Sequence, residues 1–364
     1  MKINYPLKDR QICFFVLAFL PITKIFSLPS LIAGYSNEDM WISALINLLI
    51  DFLTLIPIVI ACKKSRTGFF ELMENTFGKL FSKVILFLYF IYFMLKAILP
   101  LNEQKDYIDY TLYTLRPTIA YFIPFFIVAF YLCFKRLKVL GRLSDILWFI
   151  SLNGFITLFA LSLTNAEFSA ILPIGANTMP NILLASFKSL NWFGDAVFIM
   201  FFIGEFEYKK GFSLKLFLSY LVSALMVVLF MIIFYSIFTS ISHRQRFALT
   251  EISKYTTVIN NLGRFDYIGI IMIIFSNTFA LCLPMFFSAK ILNHLFNIQK
   301  IWIAPAITVG LQLLIMLVFN EYFASIQNFI IDYLGWFFLI FSNILPVIIS
   351  LLIIKENKYA TKKS

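Results

Sequence analysis

Long apolar blocks separated by short polar stretches dominate this chain. Ten stand out, at about 11–33, 41–62, 81–101, 117–134, 145–164, 183–204, 213–239, 266–292, 301–319 and 334–354. A helix crossing a hydrocarbon layer of roughly 30 Å needs about 20 residues, with a range of about 17–25. The blocks therefore predict an all-α chain with about ten transmembrane helices. The block at 266–292 has the least defined ends, because Asn277, Pro284 and Lys290 interrupt it.

Composition strengthens that reading. Hydrophobic residues make up 61% of the 364 residues and charged residues 13%, about half the charged fraction of a soluble domain. So much apolar surface needs lipid as its solvent, and the 18% aromatic fraction suits lipid-facing surfaces and interfacial belts. Basic residues before the first block do not mark a cleaved signal peptide, since that block reaches Ala33 and many spans follow.

The net charge of +11 is a topology signal. Twenty-one of the thirty basic residues fall in the N-terminus, the C-terminus and the loops that lie on their side of the membrane. Among them are Lys8, Arg10, Lys63, Lys64, Lys135, Arg142, Lys209, Lys290 and Lys355. The opposite loops carry seven, among them Lys105, Lys188 and Arg246. By the positive-inside rule both termini are cytoplasmic, and no nucleic-acid patch is implied. Cys13, Cys62, Cys133 and Cys282 lie far apart, and His243 and His294 are the only histidines. That excludes a disulfide framework and a Cys/His metal cluster. The chain reads as one polytopic domain over 1–364. An even ten spans permits two halves of five, about 11–164 and 183–354, the second inverted relative to the first, although the halves share no evident sequence identity.

Polar residues within the blocks carry the candidate chemistry. In LPITKIFSLP, Leu20 to Pro29, Lys24 lies fourteen residues from Arg10 and thirteen from Asn37, about 20 Å along a helix from either. A lysine at that depth is costly. Pro21 has no amide to donate, and Pro29 clashes with the carbonyl of Ile25, so the helix is expected to break beside Thr23, Lys24 and Ser27. Irregular backbone at this depth lines a wet cavity or is buried in protein. Lys24 either faces such a cavity or pairs structurally with a carboxylate.

The sixth block holds a matching irregularity in SLNWFGDAVFIMFFIGE, where Asn191, Gly194 and Asp195 interrupt an apolar helix. If spans 1 and 6 correspond, Lys24 and Asp195 share one cavity, paired together or holding a zwitterion. Asp51 in span 2 suits a structural pair or a proton path. Tyr89 and Tyr92 are three apart on one helical face and could line a pocket or pack between helices. Ser276, Asn277 and Thr278 could coordinate a cation or bond between helices. Glu103, Asp106 and Asp109 are expected to be solvated near the outer interface. No phosphate-binding loop, GxSxG elbow or HExxH pair occurs, so an enzyme is not expected, and no cofactor is implied.

The run LKDRQICFFVLAFLPITKIFSLPSLIAGYSNEDMWISALIN resembles the opening of the GerAB-like family of spore germinant receptor permease subunits. The likeness lies in a polar Arg-Gln helix entry, a Leu-Pro closing the first span and an acidic-Trp-Ile-Ser start to the second. Phe77-Gly78-Lys79, the approach Asn260 to Asp266 and the ten-span layout are also similar. The family lies in the amino acid–polyamine–organocation superfamily. The resemblance therefore implies a five-plus-five inverted repeat, LeuT-like, with helices 1 and 6 broken around the ligand. Gly194-Asp195 looks like the family's Gly-aromatic-Glu element with a shorter acid and different spacing. Relatives carry a glycine-containing stretch where this chain has Ile22-Thr23-Lys24. Lys24 thus replaces bare amides with its own charge, or occupies the place of a coupling cation.

What the resemblance implies for function is a multi-pass subunit of the bacterial cell membrane or spore inner membrane. It would sense a small nutrient such as an amino acid and trigger germination, by acting on partner subunits or through ion conduction. Its partners would be an A-type membrane subunit and a C-type lipoprotein. The alternative is a proton- or sodium-coupled transporter of amino acids or polyamines.

Overall fold

The computed structural model describes residues 6–65, 67–111, 118–135, 137–254 and 266–363. It is nearly all helix; among the described residues the one β feature is an isolated parallel bridge between Leu7 and Phe206. Helix α1 (Asp9–Phe19) ends before Pro21, a single 3₁₀ turn spans Ile22–Lys24, and α2 (Leu28–Ser36) resumes the span. There follow α3 (Met40–Lys64), the short α4 (Phe69–Phe77), α5 (Lys79–Thr111), α6 (Thr118–Phe134) and α7 (Leu137–Ser162).

The sixth hydrophobic block is broken too. It holds α8 (Met179–Lys188), a 3₁₀ turn at Leu190–Trp192 and α9 (Ala196–Met200), with a bend of 48°. After it come α10 (Phe212–Phe238), α11 (Ala248–Lys254), α12 (Asp266–Phe296), α13 (Ile303–Val318) and α14 (Phe323–Tyr333). The last span is α15 (Gly335–Leu339), a π-helical turn at Ile340–Ile344 and α16 (Leu345–Lys363).

Six helices are long and apolar enough to cross a membrane outright, and eight qualify if each bent pair counts as one span. The expected segments at 11–33, 117–134, 183–204 and 301–319 fall outside the six. Two are split, and α6 and α13 are short at 17 and 16 residues. The eighth block, whose ends were the least defined, forms α12, which runs unbroken through Asn277, Pro284 and Lys290. The approach expected to be characteristic, Asn260 to Phe265, lies outside the described residues.

Where the chain meets lipid, apolar side chains stand outward. Leu49, Leu53, Ile56 and Ile60 do so on α3, and Leu214, Leu218, Leu221 and Leu225 on α10. The opposite faces are buried; α10 turns Tyr220, Val227, Phe230 and Phe234 into the bundle. With lipid as apolar as leucine, such helices are held by close packing and by hydrogen bonds between them. Tyr220 donates to the Leu48 carbonyl at 2.8 Å, and Gln312 to the Met94 carbonyl at 2.7 Å.

Past α9 the chain turns over the start of α4, where the Phe69 amide donates to the Ile203 carbonyl at 3.1 Å. Gly204 makes the turn with φ of +78°, and a Cβ there would sit 2.4 Å from the Thr67 carbonyl oxygen. Backbone cannot yield as a flexible side chain can, and a left-handed non-glycine residue is itself costly. Gly204→Ala is therefore expected to destabilise the fold by about 2 kcal/mol or more, read as a lower thermal midpoint of the purified chain.

A charged junction at the two broken helices

The break in the first span leaves backbone groups without helical partners. Leu20 closes α1 with its amide on the Val16 carbonyl at 3.1 Å, and Lys24 closes the 3₁₀ turn on the Pro21 carbonyl at 3.2 Å. The Leu20 carbonyl then accepts from the Lys24 ammonium at 2.8 Å, and the Phe26 carbonyl from the Ala248 amide of α11 at 2.9 Å. Lys24 is fully buried. Its ammonium pairs with the Asp195 carboxylate in the sixth span and lies 5.4 Å from the Phe193 ring centre.

The second break is satisfied by charge from two other helices. The Asn191 carbonyl accepts from the Lys96 ammonium of α5 at 3.2 Å, and the Phe193 carbonyl accepts from it as well. Lys96 also lies 3.6 Å from Asp195 Oδ1, so Asp195 divides its two oxygens between two ammonium groups. On the other side, the amides of Gly194 and Asp195 donate to Asp51 Oδ2 at 2.9 and 3.0 Å. The remaining oxygen of Asp51 accepts from Asn343 Nδ2 at 3.0 Å, and Asn343 also reaches Thr54 at 3.1 Å.

Asn343 and Ser342 belong to the π-helical turn, a feature common at functional sites. Gly194, with φ of +84°, is what lets this turn approach, since a Cβ there would meet Ser342 Cβ at 2.3 Å.

Five of the ten expected site residues thus converge: Thr23, Lys24, Asn191, Gly194 and Asp195. Thr23 lines a small cavity with Lys96, Trp192, Asp195, Phe198 and Pro284. The cavity volume is about 20 Å³, room for one water molecule. Asn191 contributes its carbonyl, while its buried side-chain amide has no hydrogen-bond partner among the described residues.

The other candidates lie further out. Tyr92 comes near Gly194, and Tyr89 packs edge-on against Phe201 and Phe341, its buried hydroxyl without a hydrogen-bond partner among the described residues. Ser276 faces a separate apolar cavity against α1 and α7. Asn277 donates to Gln104 at 2.8 Å, and Gln104 to Thr278 at 2.9 Å, which is bonding between helices. Among the described residues no three His, Cys, Asp or Glu side chains group as a metal site.

The solvated reading of Glu103 is corrected. It is buried and accepts from Ser27 at 2.5 Å and from Trp192 Nε1 at 2.9 Å, tying both breaks to α5. Asp106 is partly exposed and pairs with Lys105 at 3.4 Å and Arg246 at 3.1 Å; the Asp109 side chain lies outside the described residues. Lys96 was legible in principle, since Tyr89, Tyr92 and Lys96 recur at i, i+3 and i+7 on one helical face, and Glu103 follows two turns on. Ser342 and Asn343 carry no such signal.

Removing one member of a buried pair strands the other charge, which costs about 3–5 kcal/mol. Lys24→Met and Asp195→Asn are each expected to lower the thermal midpoint strongly. The double variant should lose less than the sum, with a coupling of about 1 kcal/mol or more. Additive losses would mean that the two side chains do not act together.

The fold is similar to that of solved transporters. Two mutant crystal structures of the manganese transporter of Eremococcus coleocola superpose with TM-scores of 0.56 and 0.51, each at 11% identity, covering 94% of this chain and 78% of theirs. At that identity the likeness concerns the fold alone. No curated protein matches the chain by sequence. A family described as "Spore germination protein", Spore_permease, matches residues 7–328. With that match over most of its length, two broken helices and a transporter fold, the chain belongs to the Spore_permease family of spore germination proteins.

Proposed function

We propose that this membrane permease is the polytopic subunit of a germinant receptor, and that a small nutrient such as an amino acid binds where its two broken helices meet. One observation carries the reading: Lys96 and Asp195, residues of opposite charge, line the same cavity together with Thr23 and Trp192. Opposite charges so placed complement a zwitterion. The walls contributed by Ala97, Phe198, Ala280 and Leu281 suit a short apolar side chain.

A cavity of about 20 Å³ is far below the several hundred Å³ of a typical ligand pocket, so the described arrangement is closed. A nutrient enters only when the Lys96–Asp195 and Ser27–Glu103–Trp192 contacts part. The bound nutrient then favours the open arrangement by its greater affinity for it. In this reading residues 11–164 and 183–354 form two inverted halves that move against each other. Both termini face the cytoplasm in the spore inner membrane or cell membrane, and the shift passes to an A-type membrane subunit and a C-type lipoprotein or opens an ion path.

The test is a thermal-shift screen of single amino acids on the receptor complex and on the isolated chain. At least one amino acid is expected to raise the midpoint of the complex. Lys96→Met is expected to abolish that shift while the complex still assembles. Amino acid uptake by the chain alone in liposomes, driven by a proton or sodium gradient, would replace the sensor with a transporter.

A further inference from the structure

Away from the charged junction lies a second, larger cavity. It is a cleft of about 330 Å³, against about 20 Å³ at the junction, and the two share no lining residue. Its size falls within the roughly 300–1,000 Å³ of small-molecule sites. The cleft lies at the end of the bundle where the chain begins. Pro6 borders it, together with the C-terminal end of α6, the last turns of α12 and the start of α13. Phe134 and Ile301 give it apolar walls, and Lys135, Lys290, Glu205 and Asn293 supply polar groups. Lys290 pairs with Glu205 at 2.7 Å, which leaves Lys135 as the surplus charge.

Among the described residues Lys135 has no carboxylate partner. Its ammonium lies over the rings of Tyr131 and Phe134, 4.7 and 5.6 Å from their centres. A half-buried cation without an anion, beside a cleft between membrane helices, is a place for one negative charge. The approach to it is apolar. Ile123, Ile127, Tyr131 and Phe134 recur four, four and three residues apart on one exposed face of α6, and this stripe ends at Lys135. Ile307, Leu311 and Leu314 form a similar exposed stripe on α13, which packs against α6. Exposed Ile301 and Trp302 stand just before it. Apolar stripes closed by aromatic rings and a lysine mark a border between hydrocarbon and headgroups. A free anion gains nothing from such a track, whereas acyl chains lie along it.

We propose that this cleft binds the headgroup of an anionic phospholipid, the phosphate pairing with Lys135 and the acyl chains following the stripe on α6. One negative charge is what the cleft calls for, since Lys135, Lys290 and Glu205 together carry one positive charge. Phosphatidylglycerol meets that requirement. Its headgroup stands among α6, α12 and α13, where the Lys290–Glu205 pair already ties the end of the sixth span to α12. A lipid bound only by the folded chain stabilises it. The site is independent of the junction, so it holds whichever ligand the junction takes.

The experiment is thermal unfolding of the full-length chain in nanodiscs of phosphatidylcholine with a rising fraction of phosphatidylglycerol at fixed ionic strength. The wild-type midpoint is expected to rise saturably by a few degrees. Lys135→Gln is expected to lose most of that rise. Lys79→Gln, which removes an exposed lysine outside the cleft, is expected to keep it. Equal losses in the two variants would mean a general surface-charge effect and overturn the proposal, as would a wild type indifferent to the lipid. Inorganic phosphate or glycerol 3-phosphate added to phosphatidylcholine discs is expected to change nothing. A rise matching that from the lipid would make the occupant a soluble phosphate and overturn it too. If Lys135→Gln does not fold, native mass spectrometry of the wild type decides: one retained phosphatidylglycerol supports the site, and no preference over phosphatidylcholine refutes it.

Discussion

Interrupting a helix inside a bilayer frees carbonyl and amide groups that must find partners within the protein. This chain meets that demand with charge. The Leu20 carbonyl takes Lys24, the Asn191 and Phe193 carbonyls take Lys96, and the Gly194 and Asp195 amides take Asp51. The first break, the second break, α3 and α5 are thereby fixed to one another at a single point. Asn343 extends the connection to the last span. Around this junction the bundle is held by apolar packing and by hydrogen bonds between helices such as Tyr220–Leu48 and Gln312–Met94.

Charge of this kind is tolerated only as a set. An isolated ammonium or carboxylate in a low-dielectric interior is prohibitively expensive, and one anion does not balance two cations. The four side chains Lys24, Lys96, Asp51 and Asp195 balance in number, and Lys24, Lys96 and Asp51 are held by further hydrogen bonds to the backbone. Such a set resists small displacements and has few intermediate arrangements, since moving one member exposes the others. Glu103, bridging Ser27 and Trp192 about two helical turns above Lys96, adds a second tie across the same two breaks. On the function proposed above, a ligand that offers equivalent charge would part this set.

Much of this architecture is written locally. Blocks of apolar residues must become helices in lipid because no other open structure satisfies its own backbone there. Pro21 and Pro29, two prolines within one short stretch, disfavour a continuous first helix, and Gly194 permits the conformation that opens the sixth. Lys24 and Asp195 are conspicuous because charge in an apolar block is costly wherever it falls. Glu103 was misread for an equally physical reason: it sits beside Lys105 and Asp106 in a polar run, and nothing in that run distinguishes the side of the helix facing Ser27 and Trp192 from the side facing water.

The sequence by itself determined an all-helical membrane chain, the positions of its two breaks and three of its buried charges, Lys24, Asp51 and Asp195, because those follow from backbone hydrogen bonding and the expense of charge in lipid. Only the tertiary structure decided the partners. It gave Lys96 to the carbonyls of the sixth span, Asp51 to the amides of Gly194 and Asp195, and the last span to the junction through Asn343. Which face of one helix meets which gap in another depends on packing between segments as many as 292 residues apart, and no local pattern encodes that.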